Sequence, residues 1–148
     1  MRDERTQSSG HILLIEDNEG DIVLALDILG SSAIGSRVHV TRDGVDALRF
    51  LQREGKHQDA PRPDLILLDL NLPRMHGLEV LERLKADAEL SAIPVVVFSS
   101  SDSEADVNSS YEAHANCYIT KPSNLDGYVD ALNQVERFWF KTARLPSS

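Results

Sequence analysis

Short apolar runs punctuate the chain, and between them apolar positions recur at helical spacing. The densest run is Leu65-Ile66-Leu67-Leu68, which leads into Asp69-Leu70-Asn71-Leu72-Pro73. Four aliphatic residues without period-2 alternation require burial on both faces, as in an inner strand of a parallel sheet. His11-Ile12-Leu13-Leu14-Ile15 repeats that pattern and ends on Glu16-Asp17. Ile93-Pro94-Val95-Val96-Val97-Phe98 ends on Ser99-Ser100, with its proline at the start, where a missing donor is tolerated. Asn116-Cys117-Tyr118-Ile119 is shorter and closes on Thr120-Lys121-Pro122. Only Arg37-Val38-His39-Val40-Thr41 alternates, which marks an edge strand.

Helical stretches separate these strands. Asp17, Asn18 and Asp21 offer caps for a first helix carrying Ile22, Ala25, Leu26 and Leu29, widened by Val23, Leu24 and Ile28, and ended at Gly30. Asp43-Gly44 opens a second helix with Val45, Ala47, Leu48 and Leu51, which Gly55 is expected to stop. Residues 56–63 form a polar connector with two prolines, read as a surface loop. Pro73 and Gly77 bracket a loop before a third helix with Leu78, Leu81 and Leu84. Ser101 and Glu104 suggest a capping box for a fourth helix. That helix has little apolar surface beyond Val107 and Tyr111, so it is expected to be loosely attached. A fifth begins near Ser123-Asn124 and carries the longest stripe: Leu125, Tyr128, Val129, Leu132, Val135, Phe138 and Trp139. Five strands alternating with five helices specify a parallel α/β sheet covered on both sides. The expected organisation is one domain over residues 11–141, with a disordered tail over 1–10 and a C-terminal tail over 142–148.

Composition narrows the function. The 148 residues suit a single core. A net charge of −9 argues against binding a phosphate backbone, and so against nucleic acid. No apolar run is long enough to cross a membrane, and the polar first ten residues do not read as a secretory signal. The single cysteine, Cys117, fits a reducing cytoplasm and reads as an inert strand residue.

The chemistry lies at the strand ends. An apolar strand gains nothing from a terminal carboxylate, and open α/β sheets bind ligands beyond their carboxyl ends. In a parallel sheet Glu16-Asp17, Asp69, Ser99 and Lys121 all reach one edge. Clustered carboxylates repel unless a cation sits among them, and Mg²⁺ suits a site of few carboxylates, water and phosphate oxygens. A backbone carbonyl such as that of Asn71 completes the set. A divalent cation, an ammonium and a hydroxyl around one carboxylate describe a place for an added phosphoryl group, with Asp69 as nucleophile.

The segments LLIEDN, DLILLDLNLPRMHG, IPVVVFSSS and CYITKP, in this order and spacing, resemble the receiver domain of two-component response regulators from Ile12 to about Phe138. The resemblance implies a flavodoxin-like, doubly wound sheet of order 2-1-3-4-5. It implies Asp69 as phosphoacceptor, Glu16, Asp17, Asp69 and the Asn71 carbonyl as Mg²⁺ ligands, and Lys121 as countercharge. It also implies a switch formed by Ser99 and Tyr118 and a cis Lys121–Pro122 bond. Ser99 stands where threonine is commoner. The loop before the Asp69 strand and the C-terminal RFWFKTARLP resemble the single-domain regulators paired with bacterial phytochromes, which implies a histidine kinase of that type as partner.

Simpler roles compete. Asp69 alone would read as a loop cap, Tyr118 as a packing ring and Ser99 as a turn residue. His39, His57, His76 and His114 show no ligand spacing. Phe138-Trp139-Phe140 cannot all face one sheet from one helix, so either the helix end folds back or the rings meet a second copy, and a homodimer is expected there. The implied role is that of a signalling protein rather than an enzyme. An Asp-nucleophile phosphatase is the alternative, but it would need a general acid at position 71, where Asn stands. A nucleotide or flavin module is disfavoured because the first strand runs into Glu16-Asp17-Asn18-Glu19-Gly20, not a Gly-rich phosphate loop.

Overall fold

The computed structural model describes residues 10–147. The tail expected over residues 1–10 therefore lies, apart from Gly10, outside the described residues. Strands β1 (His11–Ile15), β2 (Arg37–Thr41), β3 (Leu65–Leu68), β4 (Val95–Ser99) and β5 (Cys117–Thr120) form one parallel sheet of order 2-1-3-4-5. Helices α1 (Glu19–Gly30), α2 (Gly44–Gln52), α3 (Gly77–Ala86), α4 (Glu104–Glu112) and α5 (Leu125–Arg137) alternate with them.

Each inner strand supplies both layers of the core. Leu13, Ile15, Ile66, Leu68, Val95 and Val97 face α2 and α3, where Ala47, Phe50, Val80, Leu81 and Leu84 meet them. Ile12, Leu14, Leu65, Leu67, Val96 and Phe98 face α1 and α5, against Ile22, Ala25, Leu29, Tyr128, Leu132 and Val135. Burial on both faces is why these strands read as continuous apolar runs. The alternating strand, β2, is an edge strand as expected, and β5 forms the other edge.

Several details differ from the sequence reading. In α1, Leu26 is 39% exposed, and Ile28 takes the inward position. In α2, the core residue Phe50 was missed. That helix stops at Arg53, not Gly55: Arg53 adopts φ 58, and the next N–H, of Glu54, donates to the Arg49 carbonyl at 2.9 Å. This satisfies a terminal carbonyl of the helix before Gly55 is reached. The connector holds a short 3₁₀ turn, Gly55–His57. The cap of α4 is Ser103, whose side chain accepts from the Asp106 N–H; Ser101 is engaged elsewhere. The Lys121–Pro122 bond is trans, against the cis bond the resemblance implied, since the described residues contain no cis peptide. Trans is the lower-energy isomer of an X–Pro bond by about 0.5–1 kcal/mol.

The last helix settles the three aromatics. After Arg137 the backbone widens into a π-type turn, Phe138–Thr142. The wider turn rotates Trp139 and Phe140 onto the Ile12 side of the core, while Phe138 stays 50% exposed and meets Trp139 edge to face. The Phe140 ring lies so close to Gly10 that a Cβ there would collide with it. Of the three rings expected to meet a second copy, Trp139 and Phe140 therefore pack on their own chain.

Candidate active site

Ladder hydrogen bonds continue past the strand ends and set the site. The Glu16 N–H donates to the Thr41 carbonyl at 3.0 Å, the Asp69 N–H to the Ile15 carbonyl at 3.0 Å, and the Lys121 N–H to the Ser99 carbonyl at 2.7 Å. Three charged residues are thus held by sheet geometry, not by loops. Asp69 is also fixed from below: Gly77 begins α3 against its backbone, where any side chain would strike the Asp69 carbonyl oxygen. Glycine is required by that close approach.

The carboxyl edge opens into a pocket of about 260 Å³ lined by Glu16, Asp17, Asn18, Asp21, Asp69, Asn71, Ser100 and Lys121. Glu16 and Asp69 are buried, whereas Asp17 and Asn71 stand at the exposed mouth. Lys121 Nζ lies 2.7 Å from Glu16 Oε1, 2.8 Å from Asp21 Oδ2 and 3.6 Å from Asp69 Oδ2. The other Glu16 oxygen, Oε2, accepts the Asn18 N–H at 3.1 Å. Burial pulls the Lys121 pKa down, but hydrogen bonds to Asp21 and Glu16 and the charge of Asp69 outweigh it and hold it above the usual lysine value. Burial raises the Glu16 carboxyl, assisted by repulsion from Asp69 and opposed by its bonds to Lys121 and Asn18. Lys121 stays charged, and three carboxylates share it.

That imbalance bears on metal binding. The donors facing the pocket are all oxygen, the preference of a hard cation such as Mg²⁺. No three acidic or imidazole side chains among the described residues are already drawn together as ligands. Mg²⁺ does not demand this, since it takes one or two carboxylates and keeps several waters. Glu16, Asp17, Asp69 and Asn71 all line the pocket where the ion would sit, Glu16 with both oxygens already accepting hydrogen bonds from Lys121 and Asn18. The donor set fits the ion, which when bound would neutralise phosphoryl oxygens.

Ser99 and Tyr118 are linked beside the pocket. Ser99 is fully buried, and it is Ser100 that lines the pocket. The Ser101 N–H donates to Ser99 Oγ at 3.2 Å, and the Tyr118 hydroxyl donates to the Ser101 carbonyl at 2.7 Å. Ser101 Oγ donates to Asp106 Oδ2 of α4. One residue, Ser101, therefore joins the strand-end hydroxyl, the aromatic ring and a helix. Sequence reasoning missed this role of Ser101, and it took Asp21 only as a helix cap; the signal for Asp21 was an acid in the first turn of α1, on the edge where Lys121 arrives.

A buried carboxylate at the centre of a parallel sheet's carboxyl edge, an ammonium beside it and acids at the mouth define a receiver domain. Residues 12–133 match the response regulator receiver domain family, and the chain belongs to it. It is 45% identical over 137 residues to the response regulator Rcp1 of Synechocystis sp., covering 93% of each chain. It is also similar to the crystal structure of the phosphorylated cyanobacterial phytochrome response regulator RcpA, at 47% identity and a TM-score of 0.91, covering 95% of this chain and all of that one. The Mn²⁺-bound form of Rcp1 superposes with a TM-score of 0.88 at 45% identity, covering 93% of this chain and 99% of that one.

Proposed function

We propose that the chain is a phosphoacceptor of a two-component system, in which a histidine kinase of the phytochrome type transfers a phosphoryl group to Asp69. The observation that carries this reading is Asp69 itself: 7% exposed at the end of a fully buried strand, yet lining a pocket with Lys121 Nζ 3.6 Å away. A buried carboxylate facing an ammonium at a pocket floor has no packing role to explain it. An Asp69 carboxylate oxygen attacks phosphorus and forms the O–P bond. The P–N bond of a phosphohistidine breaks, and the imidazole nitrogen keeps the electron pair and takes up a proton. Catalysis then consists of positioning and charge neutralisation, which this rigid edge provides. Lys121 supplies the fixed positive charge, and Glu16, Asp17, Asp69 and the Asn71 carbonyl would hold Mg²⁺. The Ser99–Ser101–Tyr118 link carries the change to α4 and β5.

The resemblance to RcpA and Rcp1 over nearly the whole chain supports the phytochrome pairing, and it suits a cytoplasmic signalling protein. The exposed Phe138 ring supports self-association at the end of α5. In the test, acetyl phosphate and Mg²⁺ label the wild type with acid-labile phosphate, and Asp69→Asn takes up none. Equal labelling of Asp69→Asn would remove the assignment. Transfer from a phytochrome-type kinase, and none from unrelated histidine kinases, is expected of the pairing.

A further inference from the structure

Lys121 is held most closely by two carboxylates, and neither is Asp69. Glu16 and Asp21 lie 2.7 and 2.8 Å from its Nζ, and Asp69 lies at 3.6 Å. Asp21 stands three residues after Asn18, the N-cap of α1. An acid at that position ordinarily turns back to the N-cap N–H. Here the Asn18 N–H is taken by Glu16 Oε2, while the Asp21 N–H donates to Asn18 Oδ1 at 2.9 Å. The Asp21 carboxylate is thereby released from capping and reaches across the pocket to the end of β5. Its side chain is 29% exposed, against 8% for Lys121, so it closes the outer side of the ammonium. An ammonium has three donors, and two are spent on Glu16 and Asp21.

We propose that Asp21 is a positioning residue for phosphoryl acceptance: it competes with Asp69 for Lys121 and holds the ammonium on the α1 side until phosphoryl oxygens draw it across. This rests on Asp69 being the acceptor. Phosphorylation places additional negative charge beside Nζ, so the balance among the carboxylates tips toward Asp69. Lys121 then donates to a phosphoryl oxygen and its bond to Asp21 loosens. Because Asp21 belongs to α1 and Lys121 to the junction of β5 and α5, that loosening also removes a polar tie between α1 and the start of the last helix, which stay packed through the shared core layer. Asp21 touches no reacting atom and acts only through Lys121.

The test compares Asp21→Asn, Asp21→Glu and Glu19→Gln with the wild type. Glu19 lies in the same helical turn but pairs with Arg42, so Glu19→Gln removes equal charge without touching Lys121. The N-cap bond of Asn18 uses a backbone N–H of Asp21, which Asp21→Asn retains, so the fold stands. Asp21→Asn should lower KM for acetyl phosphate about fivefold, the scale of a partly exposed ion pair, with little change in maximal rate. Asp21→Glu should restore the wild-type value, and Glu19→Gln should leave it unchanged. In ¹⁵N-lysine-labelled protein, Asp21→Asn should move the Lys121 Nζ resonance toward its position in the phosphorylated wild type. An unmoved resonance with wild-type KM, or the same KM shift in Glu19→Gln, would overturn the proposal. Failure of the wild type to take up phosphate at Asp69 would instead remove the acceptor reading beneath it.

Discussion

Ser101 contributes both backbone groups and its hydroxyl to three different elements: Ser99 of β4, Tyr118 of β5 and Asp106 of α4. Only the last of these bonds uses the side chain. Ser101→Ala should therefore keep the Ser99 and Tyr118 links, still accept phosphate at Asp69, and lose about 1 kcal/mol of stability, the usual net value of one hydrogen bond, here that to Asp106, since the hydroxyl's contact with the Ser103 N–H, at 3.4 Å, is long. Chemical denaturation measures the loss, and a change above about 3 kcal/mol would show that more than this bond had been broken. A second residue-scale effect lies away from the site. His39 Nε2 and His11 Nδ1 are 3.0 Å apart on adjacent strands, and Phe50 packs against the His39 ring. Burial, then the nearby charges of His11 and Arg37, holds the His39 pKa below the usual value of 6.5. A depressed histidine resists protonation in the folded state, so as pH falls below about 6.5 the unfolded chain binds protons first and stability declines. The decline ends once pH passes below the folded value. The drop in Tm between neutral and mildly acidic buffer should be smaller in His39→Gln than in the wild type, by differential scanning calorimetry. An unchanged drop would rule His39 out as its source.

At the scale of elements, the helices are unequally anchored. α1, α2, α3 and α5 each bury several side chains, whereas α4 buries only Ser110, and its Tyr111 is 48% exposed. α4 packs on the edge strand β5 and on α3, not across the sheet. Few buried apolar contacts imply a low free energy of local opening. Amide hydrogen exchange should be fastest in α4 among the five helices, and phosphorylation should alter it there through Ser101 and Asp106. Protection in α4 equal to that of α5 would contradict this. The thin stripe of α4 was legible in the sequence because it depends on composition alone. Its true cap, Ser103, was not legible, because Ser101 and Ser103 offer the same hydroxyl and tertiary bonding decides between them.

For the whole molecule, the fold narrows the surface available for output. No helix among the described residues is long and apolar enough to cross a membrane. The far end of α5 is tied down by Glu136, which is 1% exposed and accepts from the Ser36 hydroxyl in the α1–β2 connection. That anchoring, with Trp139 and Phe140 folded onto the core, leaves Phe138 as the exposed ring of the three. If α5 mediates self-association, Phe138→Asp should shift light-scattering mass toward the monomer while leaving Tm within about 2 °C, since a half-exposed ring adds little to the core. A variant that remains as associated as the wild type would exclude Phe138 from the interface.

The sequence by itself determined the sheet, one of its two edge strands and the residues that reach its carboxyl edge. Burial of both faces demands continuous apolar runs, and parallel strands end on one side, so Glu16, Asp17, Asp69 and Lys121 had to meet. Tertiary structure alone decided how they divide their charge. Distances of 2.7, 2.8 and 3.6 Å distinguish the carboxylates around Lys121, and no pattern of residue types encodes that order. It also decided the fate of Phe138-Trp139-Phe140, because one widened backbone turn redirects side chains that helical periodicity places elsewhere. Periodicity reports which positions need burial; the partner each polar group takes depends on every other group packed against it.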